Sequence, residues 1–226
     1  MIAAGYSAVV FDLDGTLADT AVDIRDALVA ALATEGLPPI SLENARLMIG
    51  GGPRLLVERA LHQLGQVAAD DLVTRLTRAF HDAYTEQANR NTHLFTNVES
   101  TLRELHATGV SVGLCSNKPD DLCRMLLRNL NIEPYFDEVL GSGNALPSKP
   151  DPAMLLAVIE RLGATPQEAL YVGDSETDVA AARAAGVPVM VVNSGYTLRS
   201  ASQLGADAVL HTLCDLVQPG LLARSA

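Results

Sequence analysis

Residues 9–20 read VVFDLDGTLADT, an apolar run that ends in two aspartates with one leucine between them. Side chains alternate along a strand, so Asp12 and Asp14 are expected to point to the same side. Two carboxylates at the end of a buried strand repel each other and lose hydration. The stretch therefore predicts a buried strand that ends at a site where a positive charge offsets this repulsion.

Similar short apolar runs recur along the chain. Most of them lack strict alternation, which is typical of parallel strands buried on both faces. Helical patterns with proline or glycine near their ends separate them, as in residues 98–109 and 151–163. Strands that alternate with helices predict a Rossmann-like, doubly wound parallel sheet of the α/β class. The predicted strands are 6–11, 110–115, 138–140, 169–172, 187–192 and 208–210.

Residues 19–92 break this alternation, because they read as helical almost throughout. Apolar residues follow helical spacing in 23–37 and 53–65, and 70–87 is a third helix with an acidic start. We therefore predict an all-helical cap inserted after the first strand. Residues 1–18 and 93–226 would form the sheet core, with linkers near 18–20 and 91–95.

Composition narrows the possible partners. The chain has 226 residues, 48% of them hydrophobic, which is enough for one sizeable domain or a core with an insert. A formal net charge of −11 argues against nucleic acid or an anionic membrane surface as partner. Three cysteines without metal-ligand spacing suggest reduced thiols. With no signal-peptide pattern and no apolar run long enough to cross a bilayer, we expect a cytoplasmic protein.

Residues capable of chemistry follow several of the predicted strands. Ligands of open α/β sheets bind beyond the carboxyl ends of the strands, so these residues should converge on one edge. Gathered carboxylates need a hard cation, and Mg²⁺ prefers such oxygen ligands together with a phosphate. A lysine and a hydroxyl can bind the phosphate oxygens. The set comprises Asp12, Asp14, Thr16, Ser116, Asn117, Lys118, Lys149, Asp174 and Asp178.

Four segments, DLDGTLADT, SNK, SKPDP and GDSETD, occur in this order. Together they resemble the four motifs of the haloacid dehalogenase superfamily, and the resemblance covers nearly the whole chain. The helical insert lies where that superfamily places its C1 cap. Within the superfamily, FDLDGTLADTAVDI, IGGGPRLLVERAL and LPSKPDPAML are most similar to the phosphoglycolate phosphatases.

The resemblance implies a Mg²⁺-dependent phosphatase that works through an aspartyl-phosphate. Asp12 would be the nucleophile, and Asp14 would be the general acid and then the general base. Metal ligation would come from the carboxylates of Asp12 and Asp174 and the backbone carbonyl of Asp14, with Asp178 acting indirectly or through water. The groups that would bind or stabilise the phosphoryl group and its loop are Ser116, the Asn117 backbone, Lys149 and Thr16.

The segment IGGGP at 49–53 allows two interpretations. Its glycines, including Gly51, either let the backbone approach the substrate or make a turn between two helices. Arg54 follows, and it would either pair with a substrate carboxylate or lie in solvent on a helix. The resemblance favours a role of this loop in substrate choice.

We expect the substrate to be a small phosphorylated metabolite, with 2-phosphoglycolate preferred. A sugar-phosphate phosphatase, a pyrophosphatase and a hexose-phosphate mutase of the same superfamily remain open. A hypothesis of another class is a phospho-aspartate signalling switch, which shares the acidic pocket and the lysine. The helical insert and the acid at Asp14 count against the switch. We expect a monomer or a weak homodimer.

Overall fold

The computed structural model describes residues 5–87, 90–197 and 199–217. Six parallel strands form one sheet in the order β5-β4-β1-β6-β7-β8. The predicted α/β class and its six sheet strands are confirmed. These strands are β1 (Ala8–Phe11), β4 (Ser111–Pro119), β5 (Glu138–Ser142), β6 (Ala169–Gly173), β7 (Val189–Val192) and β8 (Ala208–Leu210).

Helices cover both faces of this sheet. Val9 and Phe11 of β1 belong to one apolar cluster, whereas Ala8 and Val10 belong to a second one. This division follows from the alternation of side chains along a strand. The first cluster includes α5 (Val98–Ala107) and α6 (Asp120–Asn129), and the second includes α7 (Ala153–Arg161) and α8 (Glu176–Ala185).

Four helices lie between the first strand and the rest of the sheet. The chain enters and leaves this insert through two short antiparallel strands, β2 (Ala18–Asp19) and β3 (His93–Leu94). Sequence patterns did not indicate this pair, since two residues are too few to show an alternation. The helices are α1 (Ala21–Thr34), α2 (Leu42–Arg46), α3 (Gly52–Gln63) and α4 (Asp70–Gln87).

At the edge where ligands bind, the first strand ends at the predicted residue, whereas β4 continues past its predicted end at residue 115. β1 stops at Phe11, so Asp12 and Asp14 lie in the loop after the strand. β4 continues to Pro119, with an irregular register after Cys115. Among the described residues, no helix is long and apolar enough to cross a membrane.

Asp23, near the start of α1, ties together the two connections of the insert. Its carboxylate accepts hydrogen bonds from the backbone N–H groups of Asn91 and Thr92. It also accepts one from the Thr92 hydroxyl at 2.6 Å and one from the Asn91 amide at 2.9 Å. The residues that enter and leave the helical insert are thereby held against each other.

Replacing Asp23 with alanine should lower the free energy of unfolding by about 2–4 kcal/mol, because buried donors lose their acceptor. Burial alone would raise the pKa of Asp23, but hydrogen bonds from Thr92 and Asn91 lower it below its ordinary value of 3.8. The ionised form therefore stabilises the fold. This contribution is complete above the unfolded pKa and is lost as the pH falls through the lower native pKa.

Urea denaturation of both proteins between pH 2 and about 7 measures this difference. Asp26→Ala is the control, because Asp26 lies on the same helix with its side chain 39% exposed and should change stability by only about 0.5 kcal/mol. Equal losses in the two variants, or a loss for Asp23→Ala that does not shrink in acid, would contradict the assignment.

Candidate active site

The loop after β1 is a tight turn built around one carbonyl. The oxygen of Leu13 accepts hydrogen bonds from the N–H groups of Thr16, Leu17 and Ala18. Gly15 has φ of +87°, a conformation that favours glycine, and a Cβ there would lie 2.5 Å from Oδ2 of Asp174. The glycine therefore lets the first loop press directly against the carboxylate that follows β6.

Three buried carboxylates meet at this edge of the sheet. One oxygen from each of Asp12, Asp174 and Asp178 lies within 4.8 Å of the others. Oδ1 of Asp12 accepts no hydrogen bond from the described residues, and its ion-pair partner is Nζ of Lys149 at 3.1 Å. A buried carboxylate oxygen that has one ammonium group beside it among the described residues, and two further carboxylates, fits a hard divalent cation.

Each carboxylate oxygen of Asp174 accepts a hydrogen bond from the protein and keeps a lone pair for a further ligand. Its Oδ2 accepts a hydrogen bond from the N–H of Tyr196 at 3.1 Å, and its Oδ1 accepts one from the Thr16 hydroxyl at 3.2 Å. Thr16 therefore braces this carboxylate. Together, Asp174 and Asp12 have carboxylate oxygens placed to ligate a metal.

Asp178, in contrast, is fully engaged by protein donors. Its Oδ1 accepts from Nζ of Lys149 at 2.7 Å and from the hydroxyl of Tyr171 at 2.9 Å. Its Oδ2 accepts from the hydroxyl of Ser175 at 2.6 Å and from the Ser175 N–H at 3.1 Å, and the second of these bonds belongs to the capping box at the start of α8. The carboxylate thus holds the lysine and the loop that carries Asp174.

The pKa values follow from this crowding. Burial, aided by the neighbouring carboxylates and opposed by Lys149, raises the pKa of Asp12 to about 6. Burial and the same neighbours raise the pKa of Asp174 well above its ordinary value. Burial would also raise the pKa of Asp178, but the adjacent Lys149 ammonium keeps it below 3.8. One ammonium cannot neutralise three carboxylates, and a divalent cation would favour the charged forms of all three.

Asn117 connects three parts of the site. Its side-chain amide donates to the carbonyl oxygens of Gly50 and Lys149, at 3.0 and 2.9 Å, and its Oδ1 accepts from the Lys149 N–H. Gly52 has φ of +82°, and a Cβ there would lie 2.9 Å from the Asn117 carbonyl oxygen. The glycine loop of the helical insert therefore lies directly on the core.

A cavity lies between the insert and the core. Its core side presents Asp12, Asp14 and the polar residues that end β4, and its other walls are mostly apolar. Among the described lining residues, Lys118 is the one cationic side chain. The lining comprises Asp12, Asp14, Ile24, Ile49, Gly50, Gly52, Pro53, Leu56, Phe80, Ser116, Asn117, Lys118, Pro119 and Leu122.

Comparison with known proteins assigns the family. The family described as haloacid dehalogenase-like hydrolase matches residues 9–192, which contain every carboxylate of the site. The chain belongs to this family.

Curated relatives and solved structures are similar to this chain over most of its length. Phosphoglycolate phosphatases of Caulobacter vibrioides and Yersinia pestis are 36% and 38% identical, over 92% of this chain and 88% and 90% of theirs. The crystal structure of a predicted phosphoglycolate phosphatase from Haemophilus somnus superposes with a TM-score of 0.87. It is 30% identical, with 93% of this chain and 96% of that chain covered. The predictions of the superfamily and of a hydrolase are confirmed.

Two contacts of this haloacid dehalogenase-like hydrolase went unrecognised in the sequence. Nζ of Lys118 lies 3.1 Å from both carboxylate oxygens of Asp14 and 4.3 Å from the ring centre of Tyr84. The hydroxyl of Thr20 donates to Oδ1 of Asp14 at 2.7 Å. The segment SNK marked Lys118 as a residue at a strand end, but only the fold brings Tyr84 and Thr20 to it.

The structure does not bring Arg54 to the cavity. Its guanidinium group lies 2.7 Å from Asp70 and 3.0 Å from Glu58, and its side chain is half exposed. Arg54 lies in the first turn of α3, where these carboxylates of α3 and α4 satisfy it. Gly51 is not among the lining residues either, whereas its neighbours Gly50 and Gly52 are. The glycine loop thus reaches the site through its backbone, without the arginine.

If the acidic cluster binds a divalent cation, Gly15→Ala is expected to weaken that binding by about tenfold or more, because the new methyl group would displace Asp174. Gly143→Ala is the matched control, since Gly143 has φ of +91° and open space around its Cα. Both variants should lose about 1–2 kcal/mol of stability from backbone strain. Titration calorimetry with MgCl₂ separates the two effects, and unchanged affinity in Gly15→Ala would contradict this placement of the metal.

Proposed function

We propose that this protein is a Mg²⁺-dependent phosphomonoesterase that hydrolyses 2-phosphoglycolate to glycolate and phosphate. The observation that carries the proposal is the buried cluster of Asp12, Asp174, Asp178 and Lys149, of which Asp12 also lines the cavity between the insert and the core. The names of the curated relatives support the choice of substrate.

Asp12 has the properties of a nucleophile. It follows β1 directly, it is 6% exposed, and its Oδ1 carries no hydrogen bond from the described residues. One oxygen of the Asp12 carboxylate would attack phosphorus and form an aspartyl-phosphate, with the alcohol as leaving group, and the other oxygen would remain for the metal. Asp14, on the same cavity wall, would give the leaving oxygen its proton and then take one from the attacking water.

The charge on the transferring phosphoryl group needs several partners. Lys149, the Ser116 hydroxyl and the Asn117 backbone would stabilise its oxygens. When bound, Mg²⁺ would add positive charge there, held by the carboxylates of Asp12 and Asp174 and the backbone carbonyl of Asp14. Lys149 is held ready for this role by Asp178 and by the carbonyl oxygen of Cys115, 2.9 Å away.

The helical insert would act as a cap that sizes the substrate. We propose that residues 19–92 form this cap and that 1–18 and 93–226 form the catalytic core. Ile24, Ile49, Leu56 and Phe80 give the cavity apolar walls on the insert side. Such walls favour a small organic group and exclude water during transfer. An insert of this kind also favours an enzyme over a signalling switch.

The chain should release phosphate from 2-phosphoglycolate faster than from hexose phosphates, pyrophosphate or other esters in a panel read as free phosphate. EDTA should abolish the reaction and added Mg²⁺ should restore it. Asp12→Asn should lower kcat by about a thousandfold or more, because the attacking carboxylate is lost. Preference for another ester would contradict the assignment of 2-phosphoglycolate as the substrate. Full activity of Asp12→Asn would overturn the mechanism.

Arg54→Met should leave KM for 2-phosphoglycolate within about twofold, because the guanidinium group binds exposed carboxylates of the insert. Steady-state kinetics with the same panel measure it. A selective rise in KM for the carboxylate-bearing substrate would show that Arg54 reaches the substrate after all.

A further inference from the structure

We infer that Lys118 is a positioning residue for Asp14 and that Tyr84 of the helical insert makes this positioning depend on the insert. The inference rests on the proposed function, because it assigns partners to the residue that would transfer the proton. It concerns an ion pair that no sequence motif indicates.

Lys118 is placed to orient a carboxylate. Its side chain is 4% exposed, and Nζ is equally distant, at 3.1 Å, from Oδ1 and Oδ2 of Asp14. The backbone N–H of Lys118 donates to the Ser116 hydroxyl at 3.3 Å, which fixes the end of β4. An ammonium group held between both oxygens restricts rotation of the carboxylate about its Cβ–Cγ bond.

The two oxygens of Asp14 are not equivalent. Oδ1 accepts from the Thr20 hydroxyl at 2.7 Å as well as from Lys118, whereas Oδ2 accepts from Lys118 alone among the described residues. The N–H of Thr20 is itself held by the hydroxyl of Tyr196 at 2.8 Å. Oδ2 therefore has a lone pair that no described donor besides Lys118 uses, and it is the oxygen that we assign to proton transfer.

Tyr84 connects this pair to the insert. It is fully buried on α4, and Nζ of Lys118 lies 4.3 Å from the centre of its ring. The Tyr84 hydroxyl makes no hydrogen bond to the described residues, so the ring face is the contact. Phe80, one turn earlier, stacks on Tyr84 and lines the cavity.

One helix of the insert, α4, therefore supplies the side chain that covers the Lys118–Asp14 pair. With α4 in place, Tyr84 covers the ammonium group and leaves it the carboxylate of Asp14 as its anionic partner. If α4 moved away, water would replace the ring and compete for the ammonium group. Asp14 would then be aligned least well when the cavity is open. This would limit transfer of the phosphoryl group to acceptors that enter the open site.

The test compares leaving groups. A p-nitrophenolate ion leaves without a proton, whereas an alkoxide needs one, so loss of acid alignment should harm alkyl phosphates selectively. Lys118→Met should lower kcat/KM by about 100-fold both for 2-phosphoglycolate and for an alkyl phosphate without a carboxylate, and by less than about tenfold for p-nitrophenyl phosphate. Asp14→Asn should show the same selectivity, and the double variant should lose no more than Asp14→Asn alone.

A second pair of variants tests the role of the insert even if Lys118→Met folds poorly. Tyr84→Phe keeps the ring and should stay within about twofold of the parent, whereas Tyr84→Leu should lose about tenfold with the alkyl phosphate only. An equal loss with both leaving groups in Lys118→Met would overturn the inference, because the lysine would then act on the phosphoryl group. Equal losses in the two Tyr84 variants would also overturn it. A parent enzyme that hydrolyses neither ester would instead refute the proposed function.

Discussion

Three buried carboxylates share the carboxyl edge of the sheet with the buried ammonium group of Lys149, and their charge balance governs the structure around them. Lys149 lies 3.1 Å from Asp12 and 2.7 Å from Asp178, but it carries a single charge. Without a cation, burial therefore raises the pKa of Asp12 to about 6. The site is organised for a divalent cation, and glycine at position 15 leaves room for Asp174 beside the first loop.

The helical insert is connected to this charged edge at several points. The β2–β3 pair and the Asp23 carboxylate join its two ends. Asn117 binds the carbonyl oxygen of Gly50 in the insert and also holds the backbone of Lys149. The groups that would bind phosphate and the loop that would enclose the substrate therefore share one residue. In the proposed function, Asn117 would link phosphate binding to enclosure of the substrate.

Local patterns predicted most of the sheet. A buried parallel strand is recognisable from a short apolar run, and a helix from its apolar spacing and the proline or glycine near its ends. The acidic cluster was also predictable, since it follows from which residues end the strands. The sequence did not reveal the β2–β3 pair, helix α2 or the contact of Lys118 with Tyr84, which join short or distant segments. Arg54 shows the opposite case, because its place beside the glycine loop allowed either a substrate contact or an exposed position on a helix. Its ion pairs with Asp70 and Glu58 agree with the exposed position.

The central claim is that the carboxylate of Asp12 attacks phosphorus. The most direct measurement stops turnover with acid, reduces any acyl phosphate with borohydride and locates the modified residue by peptide mass spectrometry. The account predicts reduction at Asp12 alone, in the presence of both substrate and Mg²⁺. Modification of another carboxylate, or turnover without any modified peptide, would contradict it.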